Sequence, residues 1–230
     1  MHEMIQKDPG LFSEHFNLRC TEMFKHLQKK NGPLKGKLKH YWYRVEYQER
    51  GAPHIHALLW IDGAPVIGKN TPEEILSFIN ELITCRLPDK DKESLLHKIV
   101  TKYQIHRCSG KKVIANSYKY LDTCKRKFVI KNKHRTEMEY CRFGFPRPET
   151  DSPVLNDISK PYRGMPGIQG KLYNLQRTKD EQLINDYVPA FILAWGGNVD
   201  AQFIAHFSSF IVDYVCSYVG KIEAKSAGGI

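Results

Sequence analysis

The chain has 230 residues, 41% hydrophobic and 26% charged, and its 35 Lys and Arg outnumber 25 Asp and Glu for a formal net charge of +10. That composition excludes a disordered tail, and the longest unbroken apolar run, Val188 to Trp195, contains Pro189 and falls far short of the roughly 20 residues of a membrane span. The length fits one large domain with room for a small insertion, and the positive charge points to a polyanionic partner.

The opening stretch, MHEMIQKDPG, has no apolar run of about 7–15 residues, so a secretory leader is not expected and the six cysteines are expected to be reduced. From Pro9 to about Lys30, Phe12, Phe16, Cys20, Met23, Phe24 and Leu27 recur at three and four, which predicts an amphipathic helix entered through Asp8-Pro9. The basic stretch Lys29 to Lys39 carries turn residues and reads as a loop, either a solvated linker or a phosphate-contacting segment. Tyr41 to Tyr47 and Ile55 to Ile61 predict two central strands, and the Gly51 and Pro53 between them predict an antiparallel hairpin. Thr71-Pro72-Glu73-Glu74 supplies an N-cap, a first-turn proline and a capping box for a helix running to about Thr84.

A second such helix is expected over Asp91 to Thr101. The next stretch, to Pro148, is basic, short of aliphatics and studded with His and Cys, a poor recipe for a core of its own. A Pro/Gly-rich connector covers Ser152 to Gly170, followed by Tyr187 to Trp195, the turn Gly196-Gly197-Asn198, and a final helix from Ser208 or Ser209 to Val219. Cys20, Cys85 and Cys216 lie in apolar helical contexts and read as core.

Three constellations carry chemistry. His54-Ile55-His56 sits at a strand start, where alternation puts both imidazoles on one face about 7 Å apart, and Glu46 on the partner strand reaches the same face, with Gln48 as a substitute. Two nitrogens and one oxygen make a metal site with positions left for substrate oxygens; the alternative is a pair of core histidines. Tyr214 and Tyr218 are four apart on the final helix, about 40° around its axis, with Lys221 to the other side; they are either paired nucleophiles or aromatic core beside Phe207, Phe210 and Ile211. His106, Cys108, Cys124 and Cys141 offer one imidazole and three thiolates, suited to a closed tetrahedral zinc site, or else reduced buried cysteines.

The run from Tyr43 through Glu46 to His54-Ile55-His56 resembles the HUH endonuclease core of Helitron transposases, of the rolling-circle Rep type. The same order continues in Cys141-Arg142-Phe143-Gly144-Phe145-Pro146-Arg147-Pro148, in Gly197-Asn198-Val199-Asp200-Ala201-Gln202 and in Tyr214 to Lys221, so the likeness covers roughly residues 9 to 221. The resemblance implies an α+β fold in which helices flank a central antiparallel sheet. The core would be residues 1–101 and 149–230, and 102–148 a zinc-binding insertion held by His106, Cys108, Cys124 and Cys141. It implies that Glu46, His54 and His56 hold Mg²⁺ or Mn²⁺ and that Tyr214 and Tyr218, aided by Lys221, nick and rejoin single-stranded DNA through a 5′-phosphotyrosine. Arg44, Arg50, Arg142 and Arg147 would contact that DNA, and Tyr118, Tyr120 and Phe143 are available for base stacking.

The sequence departs from the family in three places. Ser217 precedes the second tyrosine where relatives often carry Lys, and the strand that relatives usually place before the first helix and the helicase that normally follows are both expected to be missing. A fragment, a truncated copy or a domesticated remnant is therefore expected, located in the nucleus if the host is eukaryotic and otherwise intracellular. The competing reading is a catalytically inactive module that binds single-stranded nucleic acid. A two-His-one-carboxylate iron oxygenase uses similar ligands but gives no role to the tyrosine pair or the positive charge.

Overall fold

The computed structural model describes residues 7–47, 52–108, 124–130, 136–156 and 172–204. Arg50, Tyr118, Tyr120, Tyr214, Cys216, Tyr218, Lys221 and the expected final helix lie outside the described residues. The described chain is α+β and falls into two compact units, one ending at Lys69 and one spanning Asn70–Ile204.

In the first unit, α1 (Pro9–Gln28) starts where Asp8 accepts the Leu11 N–H at 2.9 Å, with Pro9 in the first turn. Its buried stripe is Phe16, Cys20, Phe24 and Leu27, the periodicity expected from the sequence. Strands β1 (Leu38–Tyr47) and β2 (Pro53–Ile61) form the antiparallel hairpin, each longer than the sequence predicts, with a register irregularity between Leu38 and His40. One face of the ladder belongs to α1. The Phe24 ring stacks on Tyr41 at 4.4 Å and on Tyr43 at 4.9 Å, and the Tyr47 hydroxyl hydrogen-bonds Ser13. Alternation turns the residues between these tyrosines to the opposite face.

In the second unit, α2 (Pro72–Leu82) has the expected capping box: Glu74 N–H donates to the Thr71 hydroxyl at 3.3 Å and Thr71 N–H to the Glu74 carboxylate at 2.9 Å. Helix α3 (Ser94–Tyr103) starts three residues after the predicted Asp91, because the Asp89 carboxylate captures the Asp91 and Lys92 N–H groups in a turn and Glu93 is the cap. Glu93 also takes a two-pronged ion pair from Arg86 at 2.6 and 2.7 Å. Helix α4 (Pro189–Trp195) begins on a proline and stops at Gly196, whose φ of 68° is the left-handed conformation glycine adopts freely. Leu96, Val100, Ile184, Tyr187 and Ile192 form the core between α3 and α4. Cys85 is buried as expected, but in the extended segment after α2 rather than in a helix.

Sequence patterning assigned no strands to 102–148, yet β3 (Lys125–Ile130) and β4 (Thr136–Cys141) pair there as an antiparallel hairpin. A short ladder joins β5 (Val154–Leu155) to β6 (Tyr173–Asn174). Between these pieces runs a buried polar network. The Arg177 guanidinium donates to Asp186 at 2.7 Å, to the Ile184 carbonyl at 2.7 Å and to the Glu181 carbonyl, so that a charge only 4% exposed is met by one carboxylate and two carbonyls. The Gln104 side chain holds Val199 by both backbone groups, accepting its N–H at 3.1 Å and donating to its carbonyl at 2.5 Å.

Two candidate metal centres

The first centre is a product of β1–β2 register. Glu46 stands directly across from His54, and Arg44 across from His56, so all four residues share the face away from α1. Their ligand atoms converge. The Nε2 atoms of His54 and His56 are 2.9 Å apart, and each lies close to the same Glu46 oxygen, at 3.1 and 3.0 Å. Three mutual contacts among these atoms cannot all be hydrogen bonds, since each Nε2 carries at most one proton and the carboxylate supplies none. A cation placed among three lone pairs satisfies all of them at once, so the donor set fits a divalent metal. The side chains are 34%, 19% and 27% exposed for His54, His56 and Glu46, which leaves the centre open on one side.

The second centre lies in the other unit and is richer in sulfur. Its ligand atoms, from His106, Cys108, Cys124 and Cys141, all lie within 4.8 Å of one another. His106 is fixed by its backbone N–H to the Leu183 carbonyl at 2.7 Å, and its ring stacks on Phe145 at 4.4 Å. Cys124 and Cys141 are brought together by the β3–β4 hairpin, whose last pair is Lys125 with Cys141 and whose end is closed by Arg142 N–H on the Cys124 carbonyl at 2.8 Å. After Cys141 the chain turns tightly at Gly144, φ 72°, whose N–H returns to the Cys141 carbonyl at 2.9 Å.

The thiols perturb one another. Burial, followed by hydrogen bonds to Cys124 and Cys141, pushes the Cys108 thiol up to about 12. Burial would raise Cys141 as well, but backbone N–H groups of Phe145 and Phe143 and the thiols of Cys108 and Cys124 hold it below its ordinary value. Such sharing of protons marks a site where a metal cation would replace them. Burial, and then the Arg147 cation, holds His106 below the usual histidine value, which favours the neutral imidazole that can ligate. Four donors of this kind could hold a metal ion such as zinc.

The arginines expected to contact DNA divide by environment. Arg142 is exposed and lies over the Phe143 ring at 4.5 Å, with Phe143 itself 47% exposed. Arg147 is buried, at 8% exposure, over the Phe145 ring at 4.6 Å and donating to Asn185 at 3.2 Å. Sequence reasoning gave no role to Gln104, whose partner Val199 is 95 residues away, or to Arg177 and Asp186, which lie 9 residues apart in a stretch without helix or strand periodicity.

Residues 1–59 match the family model described as the Helitron helicase-like domain at the N-terminus. That segment carries α1, β1 and all three residues of the first centre, and it relates the chain to Helitron proteins. No curated protein matches the chain.

Proposed function

We propose that this protein is a metal-dependent tyrosine endonuclease of Helitron type, which nicks and rejoins single-stranded DNA through a 5′-phosphotyrosine. One observation carries the reading: Glu46, His54 and His56 converge on one open hairpin face inside the Helitron-related segment. Glu46, His54 and His56 would hold a divalent ion, Mg²⁺ or Mn²⁺, and such an ion would supply Lewis-acid polarisation of the scissile phosphate. Glu46 contributes the negative charge that binds such an ion, and the two imidazoles add neutral donors, so the site remains electropositive toward a phosphodiester. Tyr214 or Tyr218 loses its phenolic proton and attacks phosphorus in line. The tyrosine–phosphorus bond forms as the bond to the 3′ oxygen breaks, and that oxygen takes up a proton to leave as a 3′-OH. Lys221 stabilises the phenolate by its charge. A free 3′-OH attacking the phosphotyrosine reverses these bond changes and rejoins a strand without ATP. The sulfur-rich centre is a structural zinc site that braces residues 102–148, in keeping with three thiolates and an imidazole.

The test is incubation with 5′- and 3′-labelled single-stranded DNA and Mn²⁺ on a denaturing gel, beside Tyr214→Phe, Tyr218→Phe and the double mutant. A metal-dependent covalent adduct that vanishes in the double mutant and in His56→Ala is the expected result. DNA binding with no adduct would overturn nicking and leave a single-strand binding module.

A further inference from the structure

The sulfur-rich centre is enclosed on one side and open on another. Of the described cysteines only Cys108 is exposed, while Cys20, Cys85, Cys124 and Cys141 are buried. Cys124 and Cys141 pack with Phe145, and backbone hydrogen bonds anchor both at the end of the β3–β4 hairpin, the Cys124 carbonyl accepting from Arg142 and the Cys141 carbonyl from Gly144. The Cys108 thiol hydrogen-bonds to the thiols of both, and the ligand atoms of the centre all lie within 4.8 Å of one another. A disulfide holds its sulfurs about 2 Å apart, so closing one here needs a shift of at most roughly 3 Å, the sweep of a cysteine sulfur between two rotamers.

Susceptibility of a cysteine to oxidation follows thiolate character and exposure. Zinc coordination supplies the first, since a ligating sulfur is deprotonated, and the position of Cys108 supplies the second. An exposed thiolate with a second sulfur in contact pairs an oxidisable cysteine with its resolving partner. The hairpin centre, built from two imidazoles and a carboxylate, has no sulfur and offers no such chemistry.

We propose that Cys108 is a site of oxidation by hydroperoxides, and that its disulfide with Cys124 or Cys141 ejects zinc and opens the second unit. The Cys108 sulfur attacks one peroxide oxygen of hydrogen peroxide, the O–O bond breaks, hydroxide leaves, and Cys108 becomes a sulfenic acid. The thiolate of Cys124 or Cys141 then attacks that sulfur, the S–S bond forms and a second hydroxide departs. Together the two sulfurs lose two electrons, which reduce the peroxide. His106 and one thiolate remain, too few for a closed tetrahedral site. A small dithiol returns the electrons by exchange and restores the ligands. For the released metal this rests on the structural-zinc reading; the exposed sulfur and its two neighbours do not depend on it.

The test exposes the zinc-loaded chain to hydrogen peroxide and follows zinc release to a chelating dye, the melting curve and peptide mapping of disulfides. Expected are release of the bound zinc, loss of the thermal transition of the second unit, and a disulfide joining Cys108 to Cys124 or Cys141, all reversed by dithiothreitol and zinc. Cys108→His keeps a full set of donors, so it should bind zinc and retain it through the same exposure. Iodoacetamide on the wild type, which needs no variant, should alkylate Cys108 before the buried cysteines. Zinc retained by the peroxide-treated wild type, a disulfide that omits Cys108, earlier alkylation of a buried cysteine, or equal release from Cys108→His overturns the oxidation site. A chain that binds no zinc before treatment overturns the structural-zinc reading instead, and a Cys108 disulfide formed in that chain leaves the oxidation site standing.

Discussion

The hairpin centre draws Glu46, His54 and His56 from neighbouring rows of one ladder, whereas the sulfur-rich centre gathers His106, Cys108, Cys124 and Cys141 from positions as much as 35 residues apart. Their surroundings differ in the same sense. Cys124 and Cys141 are each 6% exposed and form their own small core with Phe145, while the hairpin ligands stay half-open on a sheet face whose stability comes from α1 on the other side. A cluster in which two ligands, Cys124 and Cys141, also serve as core ties metal to folding, even with Cys108 exposed at its edge. One whose ligands line an exposed face leaves the ion accessible to a substrate and the fold indifferent to its presence.

The largest expected effect breaks the sulfur-rich side of that comparison. Cys141→Ser should abolish one equivalent of bound zinc and cost the second unit several kcal/mol, on the order of what structural zinc contributes, seen as loss of its cooperative thermal transition. His56→Ala should leave thermal unfolding of the first unit nearly unchanged while weakening Mn²⁺ binding about 100-fold or more, as calorimetry would show. If His56→Ala unfolds the unit instead, the two centres are of one kind. Acidification sharpens the contrast. Since His106 is held below 6.5, the unfolded chain binds its proton first; the contribution of neutral His106 is complete above 6.5 and is lost as pH falls through the folded value. As pH drops below 6.5, zinc release to a chelating dye should therefore rise while the melting temperature of the second unit falls. The smallest effect is Gly144→Ala, which forces a side chain into a φ of 72° and should cost about 1–2 kcal/mol, read as a shift in the same melting curve.

Local signals were legible in the sequence and produced the elements expected. Asp8-Pro9, the Thr71–Glu74 box and the Gly/Pro link between β1 and β2 act within a few residues, so reading them needs no knowledge of the rest of the fold. The Glu46–His54–His56 set was legible for the same reason, since alternation along two adjacent strands determines which side chains meet. The four ligands of the second centre were legible as residue types, but not the hairpin that joins two of them. The strand Lys125–Ile130 reads KRKFVI and its partner TEMEYC, too charged and too weakly alternating to stand out from a loop. The Gln104 clamp on Val199 spans 95 residues, which no short window contains, and the Arg177–Asp186 pair, though only 9 residues apart, lies in an irregular segment with no strand alternation to align the two side chains.

The compactness of the hairpin centre in sequence also bears on the order of folding. His56 and Glu46 are 10 residues apart, His106 and Cys141 are 35 apart, and the difference in closing the two loops is about 1 kcal/mol of chain entropy in favour of the shorter. Hairpins of this reach close in roughly 1–10 μs, so Glu46, His54 and His56 come together before slower, long-range contacts are made. As the polypeptide leaves the ribosome, this ligand set is complete once Ile61 has emerged, while the sulfur-rich one must wait for Cys141.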